Sequence, residues 1–151
     1  MKNIIHFKIT KKALFCFLTF FAVIFTTSAF SYSSCVGGTE ITANTVADGP
    51  ASCNSVMCPS PAKKFCKSNL GMNWWSAFNW CKSNGGTLVP FEEACPGVPI
   101  RGNGTCPALA KSAGYVWTGT GVNDSLAFSI NLNGGAISNY GRTSAYAALC
   151  K

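Results

Sequence analysis

The residues best able to do chemistry lie in one aromatic stretch, MNWWSAFNWC (72–81), where three tryptophans and a phenylalanine fall within seven positions. Tryptophan combines a large apolar surface with one N–H donor, so it suits both a core and a binding surface. Trp74 and Phe78 share one helical stripe, which predicts that they pack in the core. Trp75 and Trp80 lie beside or outside that stripe. They are candidate ligand contacts, and the alternative is packing against a sheet or beneath the N-terminal segment.

Two further candidate ligand contacts, Tyr140 and Arg142, lie near the end of the chain. With Tyr146 they would form a small ligand-facing patch, and ordinary surface decoration is the alternative. Glu92 and Glu93 are adjacent, so they point to different sides of a helix and do not form an acid/base pair facing one cleft.

The sequence contains no set of residues typical of catalysis or of metal binding. Its only histidine, His6, falls in a segment expected to be removed. Without histidine, the common Ser-His and Cys-His nucleophiles and a histidine-ligated zinc site are excluded. Asp124 is the only acidic residue after Glu93, whereas a calcium site needs about six or more oxygens. We therefore expect a protein that is not an enzyme and has no metal or cofactor.

The first 29 residues have the layout of a secretory signal peptide. A lead with four lysines precedes the apolar run ALFCFLTFFAVIF (13–25), and small residues follow. The run is short for a membrane span, although an uncleaved anchor is the alternative. We expect cleavage after Ala29 or Ser31, no membrane span in the mature chain, and export to the periplasm, the cell surface or the medium.

Removal of this segment changes the net charge. The whole chain has 12 basic and 5 acidic residues, a net charge of +7. The mature chain keeps eight basic and five acidic residues, a net charge of +3. The remaining lysines form no run, so nothing indicates nucleic-acid binding.

The cysteines predict a disulfide framework. Eight of them follow the signal peptide, and in an exported protein this number indicates four disulfides. A Cys35–Cys53 bridge would tie the N-terminal extension, and a Cys95–Cys106 bridge would close a loop that cannot pack by itself. A lipid anchor at Cys35 lacks the aliphatic lipobox residue and would leave an odd number of thiols. A zinc site made of cysteines alone conflicts with export.

The elements that position these residues divide the chain into three parts. Residues 1–29 are the signal peptide, and 30–57 form an extension rich in Ser, Thr and Gly with too few apolar residues for a core of its own. In the remaining part, 58–151, Asn73 predicts the N-cap of a helix that Gly85 ends.

A second short helix is expected over PFEEAC (90–95), and a strong hairpin turn over Asn133-Gly134-Gly135. The β-rich segments are YVWTGT (115–120), SLAFSINL (125–132), AISNY (136–140) and SAYAALC (144–150). This order predicts an α+β fold in which two short helices are followed by a small antiparallel sheet, held together by disulfides.

The order MNWWSAFNWC, KSNGGTLV, YVWTGTG and a final AALC resembles the C-type lectin-like fold over about residues 58–151. In that family the helix carries an aromatic residue, an alanine and a cysteine, and a Gly-Gly pair and a leucine-containing strand follow. The resemblance implies that Cys81 pairs with Cys150 and that Cys58–Cys66 is the N-terminal hairpin disulfide of the longer forms. It extends to short lectin-like domains of exported bacterial surface and pilus-associated proteins.

The calcium motifs of this family, Glu-Pro-Asn or Gln-Pro-Asp and then Trp-Asn-Asp, are absent, and only 32 residues separate Trp117 from Cys150. The resemblance therefore implies a calcium-independent binding or adhesion module that recognises a surface protein or glycan. The alternative function is structural. The domain would then be a component or tip of a pilus-like or envelope assembly, with Trp75 or Trp80 buried against a neighbour.

Overall fold

The computed structural model describes residues 35–151, so the predicted signal peptide and its cleavage site lie outside the described residues. A single seven-stranded sheet dominates this part of the chain. Its strands are β1 (Gly38–Thr42), β2 (Lys64–Met72), β3 (Gly104–Thr105), β4 (Tyr115–Gly121), β5 (Leu126–Asn131), β6 (Ala136–Gly141) and β7 (Tyr146–Cys150). The helices are α1 (Trp74–Ser83), α2 (Phe91–Ala94) and the 3-10 turn Pro107–Leu109. None of these helices has the length and apolar character needed to cross a membrane.

The strands lie in the order β1-β2-β7-β4-β5-β6-β3. β4 and β7 are parallel, and every other neighbouring pair in which the register is defined is antiparallel. The predicted fold class, two short helices followed by a small antiparallel sheet, is therefore wrong. The sheet is larger than expected, it is mixed, and α2 is only four residues long.

The prediction failed because it missed three of the strands. β2 has the sequence KFCKSNLGM, in which lysines, an asparagine and a glycine break the apolar alternation that marks a strand. β2 nevertheless lies inside the sheet, between β1 and β7. β1 comes from the predicted extension and pairs with β2 from Gly38↔Ser68 to Thr42↔Lys64. Its polar residues fit an edge strand that leaves one side open to water.

α1 begins where the sequence predicts. The Asn73 side chain accepts a hydrogen bond from Ser76 N at 2.9 Å, which satisfies one of the free amides of the first turn. Gly85, with φ of 76°, follows the last turn in the left-handed conformation expected of a helix end. Ala77 and Cys81 are fully buried and face the sheet. Because both side chains are small, the helix lies close to the strands.

Both faces of the sheet are covered by buried residues. On one face Phe65, Val116, Ile130 and Leu149 pack with Phe91 of α2. On the other face the residues below α1 are Cys66, Ala77, Cys81, Leu88, Trp117, Ala127, Ala148 and Cys150. The alternation of apolar and polar residues predicts one buried and one exposed face for β5, yet both faces are buried because each face of the sheet is covered by other residues at this strand.

The four disulfides join Cys35 to Cys66, Cys53 to Cys58, Cys81 to Cys150 and Cys95 to Cys106. The structure thus contains the predicted pairs Cys81–Cys150 and Cys95–Cys106. The predicted pairs Cys35–Cys53 and Cys58–Cys66 are wrong. The pairing of β1 with β2 brings Cys35 to Cys66, because β1 follows Cys35 by only a few residues and runs beside the strand that carries Cys66.

Four disulfides indicate that this part of the chain folds in an oxidising environment, such as the outside of the cell. Two of the bridges are neighbours, because Cys66 and Cys150 are partners across β2 and β7. The N-terminal segment, α1 and two interior strands are therefore tied together at one place on the sheet.

Candidate functional site

The start of α1 and the residue that follows β6 form one surface group, here named the aromatic–arginine cluster: Trp74, Trp75, Phe78 and Arg142. The Trp74 ring lies 6.3 Å from the Trp75 ring, nearly perpendicular to it, and 5.6 Å from the Phe78 ring. Trp75 is 47% exposed and Phe78 is 43% exposed. Two exposed aromatic rings thus each lie next to a half-buried third ring, that of Trp74.

Trp74 forms the base of this cluster because both its side chain and its backbone are fixed. Its indole Nε1 donates to the carbonyl oxygen of Thr118 in β4 at 2.8 Å. Its backbone N donates to the carbonyl oxygen of Arg142 at 2.8 Å. These two hydrogen bonds hold the first turn of α1 against the sheet and beside the β6–β7 connection.

The Arg142 guanidinium lies over the Trp74 ring, with Cζ 4.2 Å from the ring centroid, and 6.0 Å from the Trp75 centroid. These distances are typical of cation–π contacts. Arg142 Nε donates to the carbonyl oxygen of Leu126 at 3.4 Å. A Cβ at Gly121 would collide with Arg142 Nη2, so the glycine leaves room for the guanidinium.

The charge of Arg142 is not neutralised by a carboxylate within residues 35–151. The ion pairs of this part of the chain are Lys64–Glu40, Lys111–Asp48, Lys63–Glu93 and Lys151–Glu93. The pKa of Asp48 is held well below its usual value, first by a hydrogen bond from Thr45 and then by Lys111. Glu40, Asp48 and Glu93 are thus paired with lysines, whereas Glu92 and Asp124 form no ion pair with a lysine of this part of the chain or with this arginine.

The structure brings together two of the four predicted ligand contacts, Trp75 and Arg142. Trp80 lies outside the cluster and is half-buried. Its Nε1 is 4.0 Å from the place that a side chain at Gly37 would occupy. The segment before β1 therefore passes beside this ring, which is the packing alternative stated for it. The prediction that Phe78 packs in the core is wrong, since the buried contact line of α1 runs through the smaller residues of the stripe.

The fourth predicted contact, Tyr140, belongs to a separate tyrosine cluster with Tyr115 and Tyr146. The three ring centroids are 5.0–5.7 Å apart. A hydrogen bond with Tyr140 raises the pKa of Tyr115, and burial raises the pKa of Tyr146. The sequence reasoning missed Tyr115, although its position two residues before Trp117 on a strand places both on one face of the sheet.

Gly121 also escaped the sequence reasoning. No sequence signal identifies it, because its role depends on a side chain 21 positions away in the chain, which only the fold brings near.

Comparisons with known proteins add no family to this description, since neither a scan against protein-family models nor a search of curated proteins gives a match. Within residues 35–151, no three His, Cys, Asp or Glu side chains lie together as a metal site would require. The aromatic–arginine cluster is the part of the described surface that joins exposed aromatic rings to an unpaired charge.

Proposed function

We propose that the protein is an exported, calcium-independent binding module without enzymatic activity, which recognises a surface protein or glycan through the aromatic–arginine cluster. The observation that carries this proposal is the exposure of Trp75 and Phe78 side by side on α1. Large aromatic side chains are the residues that most often dominate binding energy, and grouped exposed apolar side chains mark interaction sites.

The rigidity of the surrounding structure supports the same proposal. Trp74 is hydrogen-bonded to β4 and to the chain after β6, and α1 is joined to β7 by the Cys81–Cys150 disulfide. A surface whose rings are already held in place loses little conformational entropy when it binds a ligand.

The resemblance to C-type lectin-like domains is part of the proposal. The Cys81–Cys150 disulfide that the resemblance implies is present and joins α1 to the last strand. Export is supported by the four disulfides and by the signal-like N-terminal sequence.

A structural role is the second candidate function. The same exposed rings would suit a component or tip of a pilus-like or envelope assembly, in which a neighbouring subunit covers Trp75 and Phe78. The outer edges of β1 and β3 have no partner strand within the described residues, and such edges can pair with another chain.

A glycan and protein array, probed with the disulfide-bonded protein and two variants, separates these functions. Trp75→Ala removes an exposed ring of the cluster. Ile100→Ala is the matched control, because Ile100 is 48% exposed and lies outside the cluster. We expect dose-dependent binding that Trp75→Ala weakens about 30-fold, as a binding hot spot of about 2 kcal/mol would, and that Ile100→Ala leaves unchanged.

Two other outcomes have definite meanings. An array without binding, together with self-association in sedimentation that Trp75→Ala abolishes, supports the assembly role instead. Binding that both variants retain excludes the aromatic–arginine cluster as the binding surface.

A further inference from the structure

We infer that the ligand of the aromatic–arginine cluster is an acidic saccharide, whose carboxylate pairs with Arg142 while its sugar ring packs on the exposed aromatic rings. This inference rests on the proposed function and specifies the class of ligand. It follows from the way the guanidinium is held, from the space left around it and from the shape of the neighbouring surface.

The guanidinium lies over the Trp74 ring, with Cζ 4.2 Å from the ring centroid. A planar guanidinium stacked over an indole keeps its N–H donors directed outward in the plane, where they match the two oxygens of a carboxylate. In Arg142 the Nε group points to the carbonyl oxygen of Leu126, and the ring beneath is Trp74. No carboxylate of residues 35–151 pairs with the terminal nitrogens, so no acidic side chain of this part of the chain competes with a ligand carboxylate for them.

Gly121 shows that the structure makes room for this group. The backbone of Gly121 is not in the left-handed region, so its conformation alone does not demand glycine. A Cβ at this position would meet Arg142 Nη2, whereas its other near neighbour is the backbone oxygen of Asn123 at 3.9 Å. A Cβ at residue 121 would therefore shift the guanidinium, which is the flexible end of the Arg142 side chain.

The first turn of α1 favours an anion at the same place. It contains no acidic residue, so no carboxylate of the helix repels an anion there. The amide of Trp74, the first residue of the helix, donates to the carbonyl oxygen of Arg142. The helix end and the arginine thus lie next to each other.

The rings of Trp75 and Phe78 favour a saccharide over an acidic peptide. The negative face of an aromatic ring attracts the C–H groups on the apolar side of a sugar ring. An extended peptide gains affinity mainly from backbone hydrogen bonds to a strand edge. The cluster lies instead on a helix, whose backbone groups are largely used within the helix or by its cap.

The test uses calorimetric titration of the disulfide-bonded protein with matched saccharides. The probes are a galacturonate tetramer, a hyaluronan tetrasaccharide and sialyllactose, each compared with its carboxyl methyl ester, which keeps the ring and removes the charge. At least one acid should bind about 10- to 100-fold more tightly than its ester, as expected for a hydrogen-bonded charged group. The difference should shrink when NaCl is raised, because the site is partly exposed.

Four variants locate the effect. Arg142→Gln should bind acid and ester equally, while Arg101→Gln, which removes an exposed arginine in another loop, should keep the difference. Gly121→Ala should keep the net charge and the fold by circular dichroism and should reduce the preference for the acid, because its Cβ shifts the guanidinium. Trp75→Ala should weaken the binding of both acid and ester.

The outcomes separate this inference from the proposed function. If acid and ester bind equally and Trp75→Ala weakens both, the binding function stands and the acidic class is wrong. If an acidic peptide such as acetyl-Glu-Glu-Glu-amide binds more tightly than every acid in an Arg142-dependent way, the saccharide class is wrong. If neither these saccharides nor any array ligand binds, the inference and the proposed binding function are both wrong.

Discussion

Removal of the Cys81–Cys150 disulfide should destabilise the protein more than removal of Cys95–Cys106. The two bridges span 69 and 11 residues of sequence. In the chain-entropy model these separations correspond to about 4.4 and about 2.8 kcal/mol of stabilisation, a difference of about 1.6 kcal/mol. The shorter loop is nested in the longer one, which lowers the larger value by only about 0.15 kcal/mol.

The double variants Cys81→Ala/Cys150→Ala and Cys95→Ala/Cys106→Ala form a matched pair, because each cysteine is at most 1% exposed. Each variant loses two buried sulfur atoms, so the difference between their free energies of unfolding depends mainly on loop length. In urea unfolding followed by circular dichroism, the midpoint of the first should lie about 1 M below that of the second. Equal midpoints, or a lower midpoint for Cys95→Ala/Cys106→Ala, would refute the loop-length reasoning.

Three further predictions concern local contacts. Asn73→Ala should lower the free energy of unfolding by about 1 kcal/mol through loss of the α1 cap; an unchanged urea midpoint would contradict this. Gly134→Ala should lower the free energy of unfolding by about 1 kcal/mol, because residue 134 has a left-handed conformation. Gly135→Ala should lower it by at least about 1 kcal/mol more, because its Cβ would also meet a backbone oxygen. Equal losses of stability in the same assay would contradict this clash. The raised pKa of Tyr115 means that the neutral form is favoured on folding, so this stabilisation is present below pH of about 10 and is lost as the pH rises through the folded-state pKa. Tyr140→Phe should lower the Tyr115 midpoint in an ultraviolet titration, and an unchanged midpoint would exclude Tyr140 as the cause.

The local elements could be predicted from the sequence because their signals are local. The cap at Asn73, the stop at Gly85 and the Gly134-Gly135 turn each depend on the conformational preference of one or two residues. All three are found where the sequence places them. The four strands of the last third correspond to the segments that the sequence predicts to be β-rich, and in β5 the apolar residues also alternate.

The sheet as a whole could not be predicted, because its pairing depends on residues far apart in the chain. β2 has no apolar alternation and is fixed by its neighbours, β1 on one side and β7 on the other. The parallel contact of β4 with β7 has no local signal at all. Once β1 and β2 were missed, Cys35 could not be placed beside Cys66, so the N-terminal disulfides were paired wrongly.

In the candidate site, too, contacts between residues far apart in the sequence could not be predicted. The position of Trp75 off the buried stripe of α1 allows exposure but does not require it, since Trp80 also lies off the stripe and is half-buried. The contact of Arg142 with Trp74 could not, because it requires the β6–β7 connection to pass beside the first turn of the helix. The sequence places Phe78 in the core because it belongs to the apolar stripe of α1. In the structure only the small side chains of that stripe are buried against the sheet.

That narrow line also accounts for the exposed aromatic surface. Ala77 and Cys81 touch the sheet, and the Cys81–Cys150 disulfide holds the helix at the close distance that these small side chains allow. At such a distance a flanking ring as large as Phe78 has no space beneath the helix and must turn outward. Trp74 is half-buried, because its Nε1 donates to the Thr118 carbonyl oxygen at the side of the helix. The disulfide therefore holds α1 in the position in which Trp75 and Phe78 are exposed.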